Sequence, residues 1–294
     1  MLSDIPQLLL LSVTLTQQAV YGVIIGLVQG ISEWLPVSSK TQVLVAATYL
    51  LHLSFQQAYS FGLFMDIGSV AAAIIYFRKE LYYLVQVLLG SKDAMKRKLF
   101  VYVLVATVVT GVIGAPLYLI TDKVTGIDIG IPMLVMGAIL IADSVLIWHS
   151  RKARSKGTRK LDGLGMKDFI LIGIAQGIAA LPGVSRSGTT TSAMLLMDVE
   201  PDEAFRLSFT IGIFAAIAAF GLTLVASHAN VSASIAEIGV YGFAIAVVVA
   251  TLVSLVFIDF LIKVAGKSQI VYVTAALGMV AIAGGAIYLL SGVA

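Results

Sequence analysis

Two Pro-broken polar segments, 147 residues apart in a chain of 294, interrupt a sequence that is otherwise almost wholly apolar. The first is Gln29-Gly30-Ile31-Ser32-Glu33-Trp34-Leu35-Pro36-Val37-Ser38-Ser39. The second is Gln176-Gly177-Ile178-Ala179-Ala180-Leu181-Pro182-Gly183-Val184-Ser185-Arg186-Ser187. They align without a gap, Gln29 on Gln176 and Ser38 on Ser185. In lipid, a broken helix survives only where protein or a water-filled cavity satisfies the freed backbone groups. Matching breaks in two halves of a chain point to a site at the interface between repeats.

The surrounding sequence makes this a membrane problem. Hydrophobic residues are 59% of the chain and charged residues 12%, against about a quarter charged in a soluble domain. Several apolar stretches reach the length of roughly 18 residues or more that a membrane helix needs. The expected fold class is an all-α polytopic membrane protein with six transmembrane helices and two re-entrant helix pairs. The six spans fall at about 57–77, 99–120, 131–150, 202–226, 238–262 and 268–291. The re-entrant pairs are 17–35 with 39–53 and 167–181 with 185–198; a kinked spanning helix is the alternative for each. With no linker between the halves, residues 1–294 form one integral membrane domain of two inverted repeats, about 1–150 and 151–294. The segment Met1 to Gln18 has Asp4 but no Lys or Arg, so it lacks the basic front of a signal peptide. The absence of cysteine excludes disulfides. A net charge of +3 gives no sign of a nucleic-acid partner.

Lys and Arg set the orientation. The basic patches are Arg78 and Lys79 with Lys92 to Lys98, the run from Arg151 to Lys167, and Lys263 with Lys267. All can be cytoplasmic only if the first re-entrant turn opens outside. Three crossings then separate the two re-entrant pairs, so the second enters from the opposite side. Tyr59-Ser60-Phe61 and Leu207-Ser208-Phe209 support the repeat, each opening a Gly/Ala-rich span suited to close helix packing.

The polar residues suggest a chemistry. In Gly183-Val184-Ser185-Arg186-Ser187-Gly188-Thr189-Thr190, a glycine turn precedes a helix N-terminus whose free N–H groups and dipole favour an anion. Arg186 adds a permanently charged fork, and Ser185, Ser187 and Thr190 add hydroxyls. Ordinary capping with a snorkelling Arg is the simpler alternative. Glu33, one helical turn after Gln29, could act as a base, position a metal, or pair with Arg186. Ser38 and Ser39 could cap the next helix, and a serine nucleophile would need Glu33 as its base. Asp66 lies inside an expected span, as a second site carboxylate or a packing residue. His52, His149 and His228 fall near span ends, away from both motifs. Trp34 and the tyrosines read as anchors or packing residues.

At these residues the chain resembles the undecaprenyl pyrophosphate phosphatase, or bacitracin-resistance, family. The family pattern of Glu or Gln, three residues, then Glu and a Pro-Val-Ser-Ser turn is met by Gln29, Glu33 and Pro36-Val37-Ser38-Ser39. Its second pattern, Pro-Gly-x-Ser-Arg-Ser-x-x-Thr, is met by Pro182 to Thr190. The resemblance implies a membrane enzyme that removes the terminal phosphate from a polyprenyl diphosphate. Ser39 would be the nucleophile, Arg186 the diphosphate clamp and Glu33 a base or cation contact. A divalent cation, Mg or Ca, would be the cofactor by resemblance alone. Gln29, Ser38, Lys40, Gln42, Gly183, Ser185, Ser187, Gly188 and Thr190 would surround the substrate. One position departs: Gln42 stands where the family usually has His, and an amide cannot cycle a proton near neutral pH. Lys40 is an added cation that could hold phosphate.

The expected partners are the polyprenyl diphosphate and membrane lipids, with a homodimer allowed and the plasma membrane as the location. A transporter of polyprenyl phosphate without hydrolysis is the rival, since inverted repeats with broken helices are a transporter's architecture. The membrane acid phosphatases need two catalytic histidines that this sequence lacks.

Overall fold

A computed structural model describes residues 14–35, 37–123, 130–153 and 158–264, with isolated positions beyond 274. The expected span 268–291 lies largely outside these residues, as do Pro36 and the segment before Thr14. The described residues are helical almost throughout. The first pair is α1 (Leu15–Ser32) and α2 (Ser39–Leu51). Then come α3 (Phe55–Phe64), α4 (Asp66–Tyr76), α5 (Arg78–Leu88), α6 (Ala94–Asp122) and α7 (Gly130–Ala153). The second pair is α8 (Met166–Ile178) and α9 (Arg186–Leu196). The last three are α10 (Pro201–Ala226), α11 (His228–Ile238) and α12 (Val240–Val264). Among the described residues, four stretches are long and apolar enough to cross a membrane: Phe55–Tyr76, Ala94–Asp122, Pro201–Ala226 and Val240–Phe260. The protein is therefore an all-α, multi-pass membrane protein.

Helix ends follow local chemistry. Thr14 caps α1 in a reciprocal box with Gln17. Ser54 and Gln57 repeat the box at α3. Asp93 caps α6 by accepting from the backbone N–H groups of Met95 and Lys96; these donors, chiefly that of Lys96, hold its carboxyl below the usual range. The expected span 57–77 is not one smooth helix. It breaks at Met65, and Asp66 begins the second piece. Two short helices without spanning length, α5 and α11, flank the expected spans. α5 is amphipathic and exposes Tyr82, Val85 and Leu88 beside Arg78 and Lys79.

Glycines bring the broken helices close to their supports. On α1, a Cβ at Gly26 or Gly30 would lie 2.6 Å from Ala246 O or 2.9 Å from Ala250 O of α12. On α8, the aligned Gly173 and Gly177 press on α6, where a Cβ would lie 2.8 Å from Ala106 O or from Ile113 Cβ. Small residues at such crossings let backbones meet, which drives helix association in lipid. Trp34 is 2% exposed and packs edge-on against Phe209 at 5.0 Å, so it is a core residue rather than an interfacial anchor. Part of the basic run between α7 and α8 is structural as well. Arg159 pairs with Asp168 at 2.7 Å and donates to Met197 O at 2.9 Å, tying the start of α8 to the end of α9.

Candidate active site

The turn after α1 and the turn after α8 meet, although 147 residues separate them. Thr41 Oγ1 accepts from Gly183 N at 2.9 Å, and Ser187 Oγ donates to Leu35 O at 3.0 Å. Lys40 Nζ donates to Ala179 O at the end of α8. Tyr59 OH donates to Ala180 O at 2.6 Å. The last two contacts satisfy carbonyls freed where α8 ends, which is what a helix break inside a membrane protein requires. Gly183 has φ +88, and a Cβ there would lie 3.0 Å from Met136 Cα and O of α7, so conformation and space both call for glycine.

Ser38 and Ser39 separate cleanly. Ser38, at φ 57, is left-handed and makes no cap; its hydroxyl bonds Thr41 Oγ1 at 2.8 Å. That backbone conformation costs a non-glycine residue about 1–3 kcal/mol and is typically kept at functional positions. The next residue, Ser39, donates to Glu33 Oε2 at 2.5 Å. Glu33 Oε1 pairs with Arg186 Nη2, with side chains 5% and 17% exposed. Arg186 Nη1 is buried with no hydrogen-bond partner among the described residues, and it lies against Gly212 of α10, where a Cβ would collide with it.

Behind Glu33, the Gln29 amide nitrogen lies 3.1 Å from Glu33 Oε2, 3.0 Å from Asp66 Oδ1 and 3.1 Å from Ser69 Oγ. Gln29 Oε1 is buried without a hydrogen-bond partner among the described residues. Asp66, whose role the sequence leaves open, therefore belongs to this cluster. Glu33, Ser39, Lys40, Asp66 and Arg186 border one cavity of about 230 Å3. α6 and α10 contribute mostly small or apolar residues to its walls, including Gly111, Gly114, Ala215, Ala219 and Leu222. A polar head faces an apolar slot.

The other expected site residues divide. Ser185 accepts from Gly188 N at 3.2 Å as the cap of α9, and both Ser185 and Ser187 border the cavity. Thr190 instead turns to α10, bonding Ser208 Oγ at 2.5 Å and donating to Arg186 O at 2.7 Å. Gln42 donates to Val37 O at 3.0 Å, bracing its own turn. His52 and His228 are exposed and lie apart from the cavity. Gln176 also borders the cavity and donates to Thr110 Oγ1 at 3.0 Å; its alignment with Gln29 was the sequence signal for it. Among the described residues no group of three or more His, Cys, Asp or Glu gathers as a metal cluster.

A family model described as bacitracin resistance protein BacA matches residues 22–283. An undecaprenyl-diphosphatase of Saccharolobus solfataricus (strain ATCC 35092 / DSM 1617 / JCM 11322 / P2) is 47% identical over 266 residues, covering 90% of this chain and 94% of the relative. One of Saccharolobus islandicus (strain M.16.4 / Kamchatka #3) is 48% identical over 253 residues, covering 85% and 89%. One of Pyrobaculum aerophilum is 39% identical over 264 residues, covering 89% and 95%.

Proposed function

The chain belongs to the bacitracin resistance protein BacA family, and from that premise we infer what its paired turns do. The protein is a membrane hydrolase that acts on a phosphoric anhydride, the diphosphate of a polyprenyl lipid carrier. For the residues, we propose that Ser39 is the nucleophile, Glu33 its base and Arg186 the diphosphate clamp. One observation carries this assignment: Ser39 Oγ donates to Glu33 Oε2 at 2.5 Å while Arg186 holds the other oxygen of the same carboxylate. A nucleophile within hydrogen-bond reach of a base that a third group orients is the general form of an activated serine.

The reaction follows from these positions. Ser39 Oγ attacks the terminal phosphorus and its proton passes to Glu33. The bridging P–O bond breaks, and polyprenyl monophosphate leaves with the proton that Glu33 returns. Water then attacks the phosphoserine and gives one proton to Glu33, which restores it to Ser39 Oγ as inorganic phosphate departs. Arg186 and Lys40 stabilise charge on the phosphoryl oxygens, the larger share of catalysis in phosphoryl transfer. Ser185 adds a hydroxyl donor at the N-terminus of α9. Gln42 serves the turn rather than the proton, which leaves that work to Glu33. The polyprenyl chain would run along the small-residue faces of α6 and α10. Glu33 offers a hard oxygen of the kind Mg2+ or Ca2+ takes, and Mg2+ needs only one or two carboxylates beside substrate phosphate; an ion held there would neutralise diphosphate charge.

Release of inorganic phosphate from a polyprenyl diphosphate by the purified protein, with and without a chelator, tests the reading. Hydrolysis is expected. Lipid transfer across vesicles without any phosphate release would instead mark a transporter.

The finer architecture belongs to the same proposal: six spans, two re-entrant pairs, and two inverted repeats of about 1–150 and 151–294. The aligned glycines support it, since Gly26 and Gly30 pack α1 on α12 as Gly173 and Gly177 pack α8 on α6. In this reading loops 90–98 and 151–167 are cytoplasmic and the first turn opens outside. Single cysteines introduced into each loop of this cysteine-free chain should label from the same side with a membrane-impermeant thiol reagent. Labelling from opposite sides would break the inverted repeat.

A further inference from the structure

The cluster behind Glu33 contains a carboxylate that the proposed reaction does not use. Asp66 sits at the start of α4, where the break at Met65 delivers it, 37 residues after Gln29 in sequence and in contact with the same amide. The Gln29 amide nitrogen has two hydrogens, and it faces two carboxylates and the Ser69 hydroxyl. An amide in this position has two faces to offer. If its oxygen faced Glu33, two acceptors would oppose each other in a buried site. Asp66 is a second acceptor on the nitrogen side, so it makes that flip doubly unfavourable. The observed cost is a buried Gln29 Oε1 with no partner among the described residues, and an unpaired buried acceptor is kept only when other contacts outweigh it.

We propose that Asp66 is a positioning residue for the hydrolysis: it locks the Gln29 amide so that its N–H holds Glu33 Oε2 toward Ser39. The chain Asp66–Gln29–Glu33–Ser39 then orients the base as the third member of a catalytic triad orients its partner. The assignment rests on Glu33 and Ser39 being base and nucleophile. Its chemical requirement is an N–H donor at position 29, between Glu33 and an oxygen acceptor at position 66. The family pattern admits Glu or Gln at the position of Gln29, and this chain has the amide there with the acid supplied from α4.

Removing and restoring the acceptor tests this. Asp66→Ala removes the acceptor that fixes the amide, and Asp66→Asn keeps an oxygen acceptor at the same position. Gln29→Glu removes the N–H and places three carboxylates together. Asp66→Ala and Gln29→Glu should each lower kcat by about 10- to 100-fold, the effect expected of a misplaced catalytic group. KM should stay within about 3-fold, because neither residue clamps the diphosphate. Asp66→Asn should keep kcat within about 3-fold of the wild type, since its carbonyl oxygen still accepts from Gln29. Wild-type kcat in Asp66→Ala overturns the assignment. So does Asp66→Asn no faster than Asp66→Ala while unfolding at the wild-type temperature. If Asp66→Ala does not fold, Gln29→Glu still decides, because wild-type kcat there would show that Glu33 needs no N–H from position 29. Ser39→Ala is measured alongside. Hydrolysis surviving in that variant would overturn the nucleophile itself, a failure distinct from that of Asp66.

Discussion

Ser39→Ala is expected to abolish phosphate release while leaving diphosphate-lipid binding within a few-fold of the wild type. Its hydroxyl donates to Glu33 at 2.5 Å and borders the cavity, so its loss removes the attacking atom and one donor to the base. Removing a nucleophile leaves only what binding and charge stabilisation provide, and losses beyond about 10³-fold are ordinary for such changes. Ground-state affinity should hold because one hydroxyl adds little to binding a charged head and a long tail. Single-turnover phosphate release and equilibrium lipid binding on the same preparation check both halves. Ser38→Ala is the internal control. Ser38 bonds Thr41 rather than Glu33, so turnover should survive with a loss of about 10-fold or less, the cost of one neutral hydrogen bond being about 0.5–1.5 kcal/mol. Equal losses at both serines would leave Ser39 with no special role.

Arg186→Ala should be as severe and should also weaken binding. Arg186 and Glu33 are an ion pair that is mostly buried, and removing one partner of such a pair costs about 3–5 kcal/mol because the other charge stays behind unpaired. The same change deletes the clamp. Loss of one preorganised donor to a developing oxyanion lowers turnover by about 10²–10³-fold. Arg186→Lys keeps the charge but replaces a planar fork with a point donor on a shorter reach. It should recover part of the stability and little of the rate, so the variant should melt near the wild type and turn over far more slowly. Thermal unfolding together with phosphate release separates the two effects. Near-normal activity in Arg186→Lys would show that any cation suffices and that the fork has no role.

Much of this molecule was legible in its residues. The apolar runs made it a helical membrane protein. The two Pro-broken motifs identified where polar groups would collect, because lipid tolerates a broken helix only beside protein or water. Pairing with Arg186 was one of three readings the sequence left open for Glu33, since each is a charge that an apolar neighbourhood cannot hold alone, and the structure pairs them. The Gly/Ala faces were legible as packing surfaces. The short helices α5 and α11 were not, because each lies against a spanning segment and carries no stop signal strong enough to set it apart.

What the sequence could not decide is which way each side chain turns. Ser38 and Ser39 are chemically equal, and only the left-handed backbone at Ser38 sends one to Thr41 and the other to Glu33. Thr190 shares a helix with Arg186, and its hydroxyl still goes to Ser208 because α10 packs against that face. Gln42 could have reached a phosphate and is held instead by Val37 O. Asp66 carried no local pattern, since its partner is 37 residues away on a helix whose register is set by contact with α12. Periodicity records which residues share a face of one helix. The meeting of Lys40 with Ala179, or of Glu33 with Arg186, depends on how helices cross, and crossing is fixed by small residues packing backbone against backbone across the whole bundle.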